Sequence, residues 1–435
     1  MNCGEIGTAR ASVARTSAAE ARGSSCKESQ ISTMGAALGF GSVNLMKSRK
    51  GSGQWSVTSG KQTGKTPLAR HSSLVTFHSS RERAKYGYGV LGLALLVFSS
   101  SLLFGQGPKT SLPQWPPAPE PPRIQFISSY SRARDFGWKR PLWRKVVDWA
   151  MNETDPSILQ RPFALTFDHE GRLIIADTGA SNVKIFDPAN KSVKVIHQYK
   201  GKQFGAPVAV AVDDEDNIYV SDSGAGRVLK YSAKGKLLGF IGGEEGYFKR
   251  PASIAFNPVN HLLYVVDTVR PKVFAFSTDG QMKIHFGERG TEPGQFNFPT
   301  FIAIDKTGRL YINDTLNFRI QMFSPEGKFL EQFGSGGDGS GSINRPKGLA
   351  IDREGHVYIA EALFSTVQIF DVQGRYLLSF GQSGKGPGEF YIPAGMAFDS
   401  SNRIYVADPF QRRVEIFQYF ADDAANAPPH VGGGR

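Results

Sequence analysis

Six carboxylates recur along this 435-residue chain at a near-constant step: Asp177, Asp222, Asp267, Asp314, Glu361 and Asp408. Five residues after four of them stands a base (Arg227, Lys272, Arg319 and Arg413), with Asn182 and Thr366 in the two remaining places. An acid and a base at this spacing across a short loop can do two things. They can pair and hold the loop beside its strand, a structural role. Alternatively the bases can point outward as a ring of cations that meets an anionic partner. Phe318, Phe364 and Phe410 lie in the same loops, and aromatics beside bases can stack on nucleotides or grip a peptide.

Metal chemistry would need histidines or carboxylates that converge. Two residues after a recurring proline stand Ala164, Ala209, Ser253, Phe301, Gly348 and Gly395, which are small or apolar. His169, His261 and His356 fall in turns of three different repeats, and His197 and His285 on outer strands. The only cysteines, Cys3 and Cys26, are near the N-terminus, so the repeats hold no disulfide framework or Cys-ligated metal. No cofactor and no metal is expected.

These residues sit on a template repeated six times. Its prolines, Pro162, Pro207, Pro251, Pro299, Pro346 and Pro393, are 44 to 48 residues apart. Three residues before each proline is an apolar side chain (Leu159, Phe204, Phe248, Phe296, Ile343, Phe390), the pattern of packing between repeats. After each proline come a short apolar run, a turn, a second run and the acid. Gly171, Asp216, Asn260, Gly308, Gly355 and Asn402 mark the first turn, and Asn190, Gly235, Gly280, Gly327 and Gly374 a later one. All are residue types that tolerate a left-handed backbone. Four short strands per unit at this period predict an all-β, six-bladed β-propeller. The sixth unit lacks its fourth strand, and residues 123–130 (RIQFISSY) match that strand's pattern. Pairing them with the last blade would close the ring.

The stretches 294–330 (GQFNFPTFIAIDKTGRLYINDTLNFRIQMFSPEGKFL) and 388–417 (GEFYIPAGMAFDSSNRIYVADPFQRRVEIF) resemble the NHL repeat. The resemblance covers residues 123–420 and implies a six-bladed NHL-type propeller. Such propellers mostly act as platforms for protein or RNA, while similar ones include peptide-amidating lyases and, more distantly, gluconolactonase-like hydrolases. Fold alone does not choose between these.

The formal net charge is +12, but residues 1–110 hold 14 Lys+Arg against 4 Asp+Glu, leaving 37 basic and 35 acidic residues beyond them. The propeller is therefore near neutral, which disfavours nucleic acid as the partner. Residues 1–85 read as a disordered basic tail, or as sequence upstream of the true start. Residues 86–104 carry no charge, follow Arg81, Arg83 and Lys85, and read as a transmembrane anchor or signal segment. Residues 105–122 form a Pro-rich linker whose end, 111–122 (SLPQWPPAPEPP), should be an extended stalk. An insertion at 131–160 contains an amphipathic helix near Trp143, and 421–435 is a flexible tail. The basic flank places the propeller on the extracytoplasmic, periplasmic side. The expected function is a membrane-tethered or exported platform that binds a protein or peptide through Arg227, Lys272, Arg319, Arg413, Phe318, Phe364, Phe410 and Trp143. The alternatives are a lyase or hydrolase acting in the channel and an RNA-binding propeller.

Overall fold

Runs of Val, Ile, Tyr and Phe, cut at regular intervals by turn residues, can only bury their apolar faces by stacking sheet on sheet. The computed structural model describes residues 112–139, 155–196, 198–199, 201–243 and 246–420, all within a unit spanning Ala94–Arg435. Five consecutive four-stranded antiparallel sheets begin at Pro162–Phe167, Pro207–Val212, Pro251–Asn257, Pro299–Ile304 and Pro346–Ile351. The sixth combines Met396–Phe398, Arg403–Asp408 and Arg413–Tyr419 with the N-terminal strand Ile124–Tyr130. The innermost strands touch one another in a closed cycle, which makes six blades about one axis.

Closure is as expected. Ile124 pairs with Tyr419, Phe126 with Phe417 and Tyr130 with Val414, so neither chain end of the ring leaves an open edge. A fifth strand follows outside it. Gln114–Trp115 pairs with Ile124–Tyr130, and the Trp115 indole packs 5.9 Å from both Phe380 and Phe417. The segment expected as a free stalk is thus held on blade six at this point, because burying an indole outweighs keeping the chain extended in water. Residues 86–104, the insertion helix with Trp143 and the tail from 421 lie outside the described residues. Among the described residues no helix is long and apolar enough to cross a membrane.

The interblade column is buried throughout, with Leu159, Phe204, Phe248, Phe296, Ile343 and Phe390 inside successive apolar clusters. The turns follow the expected chemistry with two shifts of one residue. The left-handed positions are His261 in blade three and Lys191 in blade one, not Asn260 and Asn190. In blade three the extra residue between Asn257 and His261 lengthens the turn, and the Asn260 side chain bonds Tyr264 instead.

Candidate binding site at the channel mouth

Strands alternate direction, so the loop before each proline and the loop after each acid share one face, here the upper one. The acid joins them. Asp177 accepts the backbone N–H groups of Gln160 and Arg161 at 2.9 and 2.7 Å. Asp222 does the same for Gly205 and Ala206, Asp267 for Lys249 and Arg250, and Glu361 for Asn344 and Arg345. The second loop adds a return bond: Thr178 N–H donates to Arg161 O, Thr268 N–H to Arg250 O and Ala362 N–H to Arg345 O. Buried acids accepting two backbone donors make the residue before the proline one of the best-fixed points on this face in blades one, two, three and five, whereas Asp314 and Asp408 hold the backbone one residue earlier, at Asn297 and Tyr391.

The proline itself supplies the second device. Sheet register breaks just after it in the first five blades, between Pro162 and Ala164 in blade one and between Pro346 and Leu349 in blade five. A bulge re-aims the side chain it leaves unpaired. Phe163, Val208, Ala252, Thr300 and Lys347, the residue after proline in each of these blades, all line one cavity of about 150 Å³ at the upper channel mouth. Its floor is Phe301 from blade four, with its ring centroid 6.0 Å from that of Phe163. Blades one and four stand opposite in a ring of six, so this contact crosses the axis at the mouth.

Four cations surround it. Arg250 and Lys347 line the cavity, and Lys347 feels the charges of Arg345, Arg161 and Arg250. Burial, then repulsion from these three arginines, pushes the Lys347 ammonium below its ordinary range. The Arg161 guanidinium lies 4.8 Å from the Phe410 ring centroid. None of the four side chains enters an ion pair among the described residues. Around them, the position two residues after the acid is apolar and about half exposed in four blades: Val269, Leu316, Leu363 and Phe410. Tyr391, packed edge-on against Phe410, and Phe298 extend this crescent. In blades one and two the same position is Gly179 and Gly224, where a Cβ would strike the neighbouring loop at 2.7 and 2.8 Å.

A family profile described as a 6-bladed beta-propeller matches residues 354–424. The chain is a six-bladed β-propeller. A peptidyl-alpha-hydroxyglycine alpha-amidating lyase of Drosophila melanogaster is 27% identical over 160 residues, 34% of the propeller chain and 29% of that protein. The match therefore spans under a third of the relative's length. Among solved structures, virginiamycin B lyase from Staphylococcus aureus superposes with a TM-score of 0.46 at 13% identity, over 60% of the propeller chain and 96% of its own. A gluconolactonase from Xanthomonas campestris gives 0.47 at 15%, over 60% and 87%. At these identities the likeness is one of fold.

On this propeller most of the expected cation ring is internal. Arg227 is buried against Asp222 (Nη2 to Oδ2, 3.0 Å), and Arg319 donates to Asp314 at 2.9 Å and to the carbonyls of Glu292 and Gln295. Arg413 donates to the carbonyls of Gly386 and Glu389. Lys272 is half-buried, and Arg270 takes its place beside Asp267. In blade one Lys184 reaches Asp177 at 2.6 Å. The loop is short and its acid lies below the surface, so a long base five residues on folds inward to neutralise it. Phe318 and Phe410 are exposed as expected, whereas Phe364 is half-buried and lines, with Tyr376, a separate cavity of about 160 Å³.

Strict alternation along the inner strand would put the column two residues after proline at the channel mouth, and the bulge turns it sideways instead. Ala164, Ala209 and Ser253 are buried between inner strands, and a Cβ on Gly348 or Gly395 would meet Ala394 O at 1.9 Å or Phe163 O at 2.7 Å. Only Phe301 of that column lines the cavity. Sequence reasoning missed Arg161, Arg250, Arg345 and Lys347. Their signal was available: a basic residue precedes the proline in blades one, three and five, and none precedes it in the other three.

The histidines serve turns on the lower face. His169 bonds Asp216 at 2.8 Å, His261 bonds Asp214 at 2.6 Å and His356 bonds Asp352 at 2.8 Å. Asp352, Glu354 and His356 come close enough to hold an ion, yet Asp352 already accepts from His356 and Tyr358. A further cavity of about 420 Å³ lies between blades one and six on that face, lined by aromatic residues that include Phe136, Trp138 and Tyr405.

Proposed function

We propose that this propeller is a binding platform that captures a protein or peptide partner on its upper face, without chemistry in the channel. The observation that carries the reading is the exposed apolar crescent of Val269, Leu316, Leu363 and Phe410 around unpaired cations. Exposed large apolar side chains grouped on one face, with aromatic anchors and arginines, form the composition of an interface centre. The partner's contact surface should be apolar at its rim and negative at its middle. Tethering through residues 86–104, with the propeller on the extracytoplasmic side, belongs to the same proposal.

The test is affinity capture with the wild-type propeller and a Leu363→Asp/Phe410→Asp variant, with bound proteins cross-linked and mapped. Both substitutions are at exposed positions, so melting should change little. Loss of the captured partner, with wild-type cross-links from the upper face, supports the reading. Equal capture by the variant sinks it.

A second reading, a lyase acting at the channel, is supported by the similarity to the Drosophila amidating lyase. Against it, the described residues lining the mouth are cationic, apolar or hydroxylated, with no carboxylate or histidine among them.

A further inference from the structure

The mouth has a charge imbalance that the fold itself does not require. Elsewhere on the upper face the acid column is matched by a nearby base, as with Asp177 and Lys184, Asp222 and Arg227, or Asp314 and Arg319. Arg161, Arg250 and Lys347 form no ion pair among the described residues, and Arg345, whose charge reaches Glu361, forms none either. Lys347 is the costliest of them, half-buried at a bulge with its carbonyl fixed by Asn313 Nδ2. Arg161, Arg250 and Arg345 are exposed and screened by water, but they bring like charge to the half-buried Lys347 ammonium, and an anion seated on Lys347 would offset that repulsion.

The pocket's size and donor set narrow the anion. About 150 Å³ admits a group of a few heavy atoms with some water, since a water occupies roughly 30 Å³ in the liquid. A carboxylate would neutralise one of four charges and offer two oxygens. A phosphoryl group carries about −1.5 to −2 at neutral pH and three acceptor oxygens. Guanidinium forks on a rim around a central ammonium suit such a tetrahedral group. The hydroxyls of Thr300 and Ser223 also line the cavity.

We propose that the upper channel mouth is a subsite for a dianionic phosphoryl group, held by Lys347 and Arg250 inside the cavity and by Arg161 and Arg345 at its rim. This rests on the reading of the upper face as the binding face and names the chemistry its centre selects. The group arrives either on a partner's phosphorylated side chain or on a small phosphate ester. Phe163 and Phe301 meet across the axis beneath it, and the rest of the ligand leaves upward across the apolar crescent.

The experiment titrates the whole chain with inorganic phosphate, then acetate, by calorimetry at pH 7.5 and low salt. Saturable phosphate binding, at least tenfold tighter than acetate, is expected. Lys347→Met and Arg250→Leu should each weaken phosphate by roughly tenfold or more, while Lys283→Met, on the outer strand of blade three, leaves it unchanged. Arg345→Gln, on the exposed rim, repeats the test should Lys347→Met fold poorly. Equal affinity for acetate and phosphate, or phosphate binding untouched by both Lys347→Met and Arg345→Gln, overturns the proposal. A phosphoserine pentapeptide and glycerol 3-phosphate then separate the sources. Tighter peptide binding identifies a partner-borne group and tighter glycerol 3-phosphate a small ester. A Leu316→Ser/Leu363→Ser variant, which leaves the Arg161–Phe410 contact intact, should lose partner capture yet still bind phosphate, so loss of the subsite and loss of partner capture are read independently.

Discussion

Glu415 offers a sharp physical test of how the upper loops are built. It lies on the third strand of blade six, fully buried, at the position held by Gln321 in blade four and Gln368 in blade five. Those glutamines donate to loop carbonyls, Gln321 to Gln295 O at 2.7 Å and Gln368 to Ser342 O at 2.9 Å. A carboxylate cannot donate. The Arg413 guanidinium comes within 2.7 Å of Glu415 but gives its hydrogen bonds to Gly386 and Glu389 carbonyls, leaving both Glu415 oxygens without an aligned partner. Burial is the main cause that pushes the carboxyl up to about 8; Arg413 opposes the rise, and Asp408 and Glu389 add to it. The folded protein therefore holds this proton more tightly than the unfolded chain does. Stability is lost as pH rises from the ordinary glutamate range to about 8, and the loss is complete above it. At roughly 1.4 kcal/mol per pH unit, the penalty is on the order of 3–5 kcal/mol. Glu415→Gln removes the ionisation and restores the donor that blades four and five use. Thermal melts should show the variant about 5–10 °C above wild type at pH 9, with the gap closing towards pH 4.5. A gap that stays constant with pH, or a variant that melts lower at pH 9, would refute the reasoning.

Removing residues 112–130 should abolish cooperative unfolding, since the strand Ile124–Tyr130 and the Trp115 indole both cover blade six; a truncated propeller that melts as wild type does would refute closure. Phe126→Ala, with its ring 5.7 Å from Phe417, should cost about 3–5 kcal/mol in chemical denaturation. Gly348→Ala should destabilise by more than about 3 kcal/mol, because its Cβ would meet Ala394 O, which is backbone leading into the inner strand of blade six and not a yielding side chain. Asp222→Ala should cost roughly 3–5 kcal/mol by removing the carboxylate that pairs with buried Arg227 and accepts the Gly205 and Ala206 N–H groups, whereas the double change Asp222→Ala/Arg227→Met should recover part of the loss. The His356 imidazole is raised by its bond to Asp352, so its stabilisation is full below the ordinary histidine range and fades as pH climbs through the raised value. His356→Gln should therefore lower the melting temperature at pH 5.5 more than at pH 8.5.

Much of the site's scaffold was legible along the chain because a propeller writes each contact six times. The period, the strand order, the buried column before each proline and the closing strand all follow from local pattern, since each blade buries its faces only against its neighbours. The acid column was legible too, but its role was only half so. Spacing shows a base five residues after four of the six acids, yet it does not show that the acid's first duty is to backbone N–H groups upstream, as Asp177 does for Arg161 and Gln160, 16 and 17 residues earlier.

What the chain could not disclose by itself is which way side chains point where the sheet departs from regularity. Strict alternation places Ala164 and Gly348 on the channel; the bulge at the proline hands that position to Phe163 and Lys347. A one-residue slip of this kind inverts every inside–outside assignment beside it. Burial likewise decides the meaning of a charge. Arg227 and Arg413 are drawn into blade interiors where they offset acids or loop carbonyls, and Arg250 and Lys347 are left facing one another at the mouth. One-dimensional pattern determined the six-bladed ring and its closure. Only the three-dimensional fold decided where its uncompensated charge stands, because a cation's neighbours come from blades that are distant in sequence.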